Sequence, residues 1–258
     1  MIIPTHEKSS NNSLIFIFQN NNILVKKNSL DLPNYSQFIE WNKLSFFSIQ
    51  FYETDYNYVA AFLDTNIDIP EGYEFTPLRN IFAQNCFYSA KAARGAGLLN
   101  WTKMTQFCCR CGSKLTYSTS ETAKCCPNCN YISYPKIMPA IIVTIRKDDK
   151  ILLVRHKKRI SNIYACVAGF MELGETAEEC VEREVFEETN LKVKNIRYFA
   201  TQSWPFPFQL MIGYTADWKS GILKIQEDEI LEAKWFSKNA LPTIPNKGSI
   251  SYRLIKET

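Results

Sequence analysis

The stretch GFMELGETAEECVEREVFEETNL, residues 169–191, decides the fold. Its hydrophobic spacing predicts a helix from about 176 to 189, with Ala177, Val181 and Val185 forming an apolar stripe. At about 100° per residue, Glu184, Glu187 and Glu188 fall within an arc of about 100° beside that stripe, while Glu178 and Glu182 point well away. A solvated charged face would be the ordinary explanation of so many glutamates. These three, however, lie at the edge of the buried face, where like charges at i and i+4 cost a few tenths of a kcal/mol even when exposed. Something positive is expected among them. Clustered carboxylate oxygens suit a hard divalent cation, Mg²⁺ or Mn²⁺, which can hold phosphate oxygens at the same time. Arg183 is placed to pair with Glu187 or Glu175 and so hold the loop ahead of the helix.

Upstream, MPAIIVTIRKDDKILLVRHKK reads as two strands around a KDDK turn, followed by the alternating run YACVAGF. Downstream lie three further strand-like runs, NIRYFATQ, QLMIGYTADW and AKWFS, and a C-terminal helix from about 248. Between the first two of these sits TQSWPFPFQ, residues 201–209. Pro205 and Pro207 exclude a central strand there, leaving an edge, a bulge or a loop. Trp204, Phe206 and Phe208 are too apolar for an idle loop, so this stretch is either an apolar edge folded onto its own core or a stiff aromatic platform for a flat ligand.

Six of the nine cysteines fall between 108 and 129, a local device rather than a disulfide framework. Cys108-x-x-Cys111 and Cys126-x-x-Cys129 form two knuckles whose four thiolates can meet at one tetrahedral Zn²⁺, and Gly112 supplies the tight turn of the first. Cys109 and Cys125 are surplus to that set. A buried thiol pair or a redox pair is the alternative. The segment holds few basic residues beyond Arg110, Lys114 and Lys124, so its expected role is a structural staple rather than a nucleic-acid reader.

Residues 1–105 carry short strand-like runs (LIFIF, NILV, FFSIQFY, YVAAFL) separated by Asn-rich turns, then a helical stretch around NIFAQNCFYSAKAARGAGLLNWTKM. This region has no chemical signature and is expected to serve as scaffold or dimer support. The chain of 258 residues, 46% hydrophobic, has material for more than one core. A net charge of +4 is too mild for binding a polyanion by bulk electrostatics, so any polyanion must be recognised locally. LIFIF is too short to span a membrane and no cleavage site follows it; together with the cysteine usage this predicts a cytoplasmic, reducing setting without membrane partners. With only two histidines, His6 and His156, chemistry at neutral pH is expected to rest on carboxylates and metals.

Gly169, Glu175, Arg183-Glu184-Val185, Glu187-Glu188 and Leu191, at these spacings, resemble the Nudix box. Asn190 departs from it, standing where the pattern has Gly; the position calls for a left-handed residue, and Asn is the next best choice. The two knuckles upstream, Tyr134-Pro135 leading into the first strand, and Gln202-x-Trp204-Pro205-Phe206-Pro207 resemble the NADH pyrophosphatase family, whose members also remove NAD caps from RNA. That resemblance implies a mixed α/β (α+β) architecture: an N-terminal α+β domain at 1–105, a zinc ribbon at 106–135 and a Nudix α/β/α sandwich at 136–258, assembled as a homodimer. It implies hydrolysis of the diphosphate of NADH or NAD to nicotinamide mononucleotide and AMP, and possible action on NAD-capped RNA. Glu184, Glu187, Glu188, Glu229 and the Ala168 carbonyl would hold Mg²⁺ or Mn²⁺; Glu188 would take the water's proton, with Glu187 as rival and Glu184 completing the catalytic set. One structural Zn²⁺ per chain would sit on Cys108, Cys111, Cys126 and Cys129.

Substrate contacts implied in the same way are Arg79, Glu121, Tyr134, Phe170, Ser251 and the run Gln202, Ser203, Trp204, Pro205, Phe206, Pro207, Phe208 and Gln209. Phe170 and Trp204 suit a flat nicotinamide ring, although Tyr134 and Phe170 could also be core residues. Thr201 keeps the hydroxyl of an expected Ser, whereas Gln209 replaces one. Two other functions compete: a broader Nudix pyrophosphatase for ADP-ribose or other dinucleotides, and a zinc-ribbon RNA-binding or sensor protein. The intact glutamates speak against the second, since a sensor has no need of the full metal cluster.

Overall fold

The computed structural model describes residues 2–3, 14–34, 46–53, 56–63, 69–84, 86–157, 162–206 and 208–258. The chain divides into two compact units, Met1–Lys136 together with Pro205–Pro207, and Ile137–Trp204 together with Phe208–Thr258.

In the first unit, β1 (Ile2–Ile3), β2 (Leu14–Gln19), β3 (Asn22–Lys26), β4 (Phe46–Glu53), β5 (Tyr56–Leu63) and β6 (Tyr73–Pro77) form one sheet in the order β1-β4-β5-β2-β3-β6. Ile15, Ile17, Leu24, Val59 and Ala61 are its buried core, and Asn20, with a φ of 54°, makes the left-handed turn between β2 and β3. Two helices follow, α1 (Leu78–Gln84) and α2 (Cys86–Met104), the latter burying Trp101. A small sheet of β7 (Thr116–Tyr117), β8 (Lys124–Cys125) and β9 (Ile132–Ser133) carries the cysteine knuckles. Lys124 is buried: its Nζ donates to the carbonyls of Thr102 at 3.0 Å and Thr105 at 2.6 Å, and lies over the Trp101 and Tyr117 rings. It therefore caps the C-terminus of α2, satisfying carbonyls that have no intrahelical partner. Burial lowers its pKa.

The second unit is an α/β/α sandwich. Its strands are β10 (Met138–Lys147), β11 (Lys150–His156), β12 (Val167–Phe170), β13 (Lys192–Trp204), β14 (Gln209–Ser220) and β15 (Ile230–Ser237), ordered β13-β14-β10-β11-β15 with β12 also pairing β10. The run AIIV in β10 is continuously apolar because both faces are covered. Ile141, Val143 and Ile145 meet Cys180, Val181 and Val185 of α3 (Ala177–Thr189) on one face. Ala140 and Ile142 meet Ile250, Leu254 and Ile255 of α4 (Ile250–Glu257) on the other. Gly213 permits that second contact, since a methyl group there would fall 2.9 Å from Ile250 Cδ1.

The predicted KDDK hairpin joins β10 to β11, with Asp148 left-handed in the turn. TQSWPFPFQ resolves into both an edge and a loop. β13 is an edge strand running through Trp204, β14 starts at Gln209, and those two residues are Cα partners across a four-residue tip. Pro205 is buried, and it and Phe206 belong to the first unit, although the strands on either side belong to the second. Pro207 and His6 lie outside the described residues.

Candidate active site

The loop and helix that follow β12 give different tasks to different glutamates. Thr176 is the N-cap of α3, and Glu179 closes a capping box with it: Glu179 N donates to Thr176 Oγ1 at 3.2 Å and Thr176 N donates to Glu179 Oε2 at 2.8 Å. Glu175 takes two bonds from Arg183, at 2.7 and 3.0 Å, which hold its pKa at about 2. Glu178 accepts from Tyr214 Oη at 3.0 Å, and Glu182 is exposed. At the C-terminus Asn190 takes the left-handed cap, with φ 57° and ψ 22°, as expected of the residue standing in for Gly.

Three glutamates remain for chemistry. Glu184 folds against the backbone of β12 so closely that a methyl group at Gly169 would fall 1.8 Å from its Cδ. Burial raises its pKa; Arg183 opposes the rise, and the charges of Glu187 and Glu229 add to it. Glu188 is 2% exposed. Its main-chain carbonyl accepts from Gln226 N at 3.1 Å, and Glu229 N and Ile230 N both donate to Gln226 O, a turn that brings Glu229 to the end of α3. Arg183 ties the arrangement together, donating to Glu184 at 2.9 Å, Glu187 at 3.1 Å and the Phe170 carbonyl at 2.9 Å. This goes beyond the pairing with Glu187 or Glu175 expected from spacing. Among the described residues these carboxylates do not bring three oxygens within 4.8 Å of one another. As a donor set they nevertheless fit a hard cation: oxygen ligands only, crowded at a partly desolvated position where burial, with the charges of Glu187 and Glu229 adding to it, raises one pKa.

β12 is two-sided. Gly169 faces the glutamates, while Ala168 packs with the core beneath α4. Phe170, 47% exposed, shares the face of Ala168 and lies in one cross-strand row with Ala140, Met211 and Gln202. Trp204, Gln209 and Met138 form the next row on that face, Trp204 packing against the α4 core. Phe170 and Trp204 thus share one face of the sheet at the end where the glutamates line the other. Ser203 is exposed, Phe208 half-buried, and Ser251 buried on α4. Gln202 is engaged within the fold, its amide bonding to both Gly248 and Ile250.

In the first unit, Tyr134 Oη donates to Glu121 Oε1 at 3.3 Å, so two predicted substrate contacts meet each other. The Arg79 guanidinium lies 5.0 Å from the Phe206 ring centroid. Cys108, Cys111, Cys126 and Cys129 gather their sulfurs within 4.8 Å of one another, with Cys108 to Cys129 at 3.6 Å and Cys111 to Cys126 at 3.4 Å. Zn–S bonds of about 2.3 Å in a tetrahedron put sulfurs about 3.8 Å apart, so the tetrad fits zinc. The knuckles share one geometry. Gly112 N donates to Cys108 O, Asn130 N donates to Cys126 O, and both Gly112 and Asn130 are left-handed. Asn130 was the missed half of this pair, four residues after Cys126 as Gly112 is after Cys108. Hydrogen bonding with Ser113 lowers the Cys111 thiol to about 5. The Tyr131 amide pulls Cys129 down, but burial and the neighbouring cysteines outweigh it and push the thiol up to about 12. Four thiols this close do not ionise together without a dication.

A model of the NUDIX domain matches residues 136–257. The NAD-capped RNA hydrolase NudC of Photorhabdus laumondii is 43% identical over 181 residues, 70% of this chain and 70% of that protein. The NudC of Mannheimia succiniciproducens is 46% identical over 173 residues, 64% of this chain and 65% of its own length. Among solved structures, a Nudix hydrolase from Nitrosomonas europaea is 27% identical, covers 53% of this chain and 80% of its own, and superposes with a TM-score of 0.47. With that box, that tetrad and these relatives, the chain belongs to the NADH pyrophosphatase and NAD-capped RNA hydrolase family of Nudix hydrolases.

Proposed function

We propose that the protein hydrolyses the diphosphate of NADH and NAD to nicotinamide mononucleotide and AMP, and removes NAD caps from RNA 5′ ends. The observation that carries this reading is the Glu184 carboxyl set against Gly169, with Glu188 buried one turn further along the same helix. The NAD-capped RNA hydrolases of Photorhabdus laumondii and Mannheimia succiniciproducens point the same way.

Glu184, Glu187, Glu188, Glu229 and the Ala168 carbonyl are the groups that would hold Mg²⁺ or Mn²⁺. When bound, such an ion offsets the charge of the diphosphate and makes a water more acidic. Glu188 accepts the water's proton as its oxygen bonds to phosphorus, while the bridging P–O bond breaks and the second phosphate leaves with that electron pair. Arg183 holds Glu184 and Glu187 in place. Phe170 and Trp204, on the opposite face of β12, receive the nicotinamide ring by stacking, worth about 1 kcal/mol. In the second unit Ser203, Phe208, Gln209 and Ser251 add substrate contacts, Gln202 indirectly through α4; Arg79, Glu121, Tyr134 and the tip 205–207 are the substrate contacts of the first.

Cys108, Cys111, Cys126 and Cys129 hold one structural Zn²⁺ per chain in a ribbon at 106–135, between an N-terminal domain at 1–105 and the catalytic domain at 136–258. The eight free cysteines among the described residues suit a reducing cytoplasm. Among the described residues no helix is long and apolar enough to cross a membrane. The working form is a homodimer.

One assay tests the reading: purified protein with Mg²⁺ or Mn²⁺ is offered NADH, NAD, ADP-ribose and NAD-capped RNA, and the products are resolved by chromatography. Mononucleotide and AMP from NADH are expected. Faster cleavage of ADP-ribose than of NADH would overturn aromatic recognition of nicotinamide, and no cleavage of any would overturn the hydrolase.

A further inference from the structure

The end of the second unit's sheet away from Gly169 carries a row of lysines. β10 ends in Lys147 and β11 begins with Lys150, its Cα partner. β13 begins with Lys192 and Lys194, and β14 passes Lys219 one residue before it ends. Lys192 pairs in register with Ser220 and Lys194 with Asp217, and Asp217 in turn with Arg146 on β10. Five lysines thus line one rim across four adjacent strands. Lys150, Lys192, Lys194 and Lys219 are exposed, and Lys147 lies 4.0 Å from the Trp218 ring centroid.

Asp148 and Asp149, exposed in the turn between β10 and β11, offset Lys147 and Lys150, whereas Asp217 is taken by Arg146 at 2.9 Å and by Asn195 at 3.0 Å, so Lys192, Lys194 and Lys219 keep their charge uncompensated. Among the described residues none of the five lysines forms an ion pair. Lys192, two residues past the Asn190 cap, gains from the α3 dipole, but the other four have no such partner. In a chain of net charge +4, this is a local concentration of positive charge, and like charges on neighbouring strands repel one another.

We propose that this rim binds the phosphate backbone of the RNA that extends from a capped 5′ end, apart from the residues that hold and cut the cap. The inference rests on the decapping reading above. Lysines placed on strand ends neutralise phosphates without reading sequence, which suits an enzyme that must accept many transcripts. From Ile141, the Cα partner of Gly169, to Lys147, β10 rises about 20 Å, roughly six stacked nucleotides at 3.4 Å per step. Short capped RNAs therefore end before they reach the rim.

The test uses the full chain with Lys192→Gln, Lys194→Gln and Lys219→Gln combined, its fold checked by thermal melting. NADH cleavage is expected to stay within about twofold of wild type, while kcat/KM on a capped RNA of about thirty nucleotides falls about tenfold at low salt. The salt dependence of that reaction should weaken by about one log unit per lysine engaged, and a capped RNA of about three nucleotides should show neither effect. Equal loss on short and long RNA, or an unchanged salt slope, overturns the proposal. Wild-type protein that cleaves NADH but leaves capped RNA intact overturns the rim alone; protein that cleaves neither overturns the hydrolase reading with it.

Discussion

Gln202 on edge strand β13 brackets the start of the C-terminal helix: its Oε1 accepts from Ile250 N at 2.7 Å while its Nε2 donates to the Gly248 carbonyl at 2.6 Å. The side chain supplies both bonds that a neighbouring strand would supply, and it lies two residues before Trp204. Gln202→Ala is expected to destabilise the protein by about 1 to 3 kcal/mol, the cost of leaving partly buried backbone groups unpaired. Urea denaturation measures this; a loss under about 0.5 kcal/mol would mean the bracket is dispensable.

Gly169 is the position most sensitive to one added methyl group. Gly169→Ala places Cβ 1.8 Å from Glu184 Cδ and must drive that carboxylate away. Turnover should fall more than about tenfold, a barrier change of about 1.4 kcal/mol, with a higher Mg²⁺ or Mn²⁺ requirement and a nearly unchanged melting temperature. Titration of activity with metal distinguishes this from simple unfolding.

Glu188→Gln and Glu187→Gln should differ. The first keeps the shape of a buried side chain but removes its capacity to take a proton, and a loss beyond about tenfold in kcat is expected. The second acts at a half-exposed position paired with Arg183 and should cost less. The reverse order would move the base to Glu187.

Acid should expose the Glu175–Arg183 pair. Its folded pKa of about 2 lies below the ordinary value of 4.5, so the pair's stabilisation is fully present above pH 4.5 and disappears as pH falls towards 2. The stability gap between wild type and Glu175→Gln should therefore close over that window, as followed by denaturation at a series of pH values. A gap that stays constant would show that Arg183 gains nothing from the charge.

Zinc should follow the thiols and stability should follow Lys124. Cys108→Ser or Cys129→Ser is expected to lower zinc per chain, read by atomic absorption. Lys124→Met should keep the zinc but lower the melting temperature, because the Thr102 and Thr105 carbonyls lose their donor. Unchanged zinc in the cysteine variants would disprove the tetrad.

What the sequence made legible was local chemistry. Helix 177–189, its left-handed Asn190, the two knuckles and the KDDK hairpin follow from spacing and turn preference, which need no knowledge of distant chain. What it concealed depends on tertiary neighbours. Lys124 looks like a surface cation until the end of α2 is found beneath it, and nothing near Gln202 in sequence announces the bonds that Gly248 and Ile250 make to both ends of its amide. Phe206 lies between two strands of the second unit, yet it belongs to the first, which no periodicity encodes.

The sidedness of β12 bears on how such an enzyme could change over time. Because Gly169 and Phe170 turn to opposite faces, the groups proposed to break the bond and those proposed to choose the molecule are separated by the thickness of one strand. Mutation can explore new nucleotides on one side without disturbing the reaction on the other.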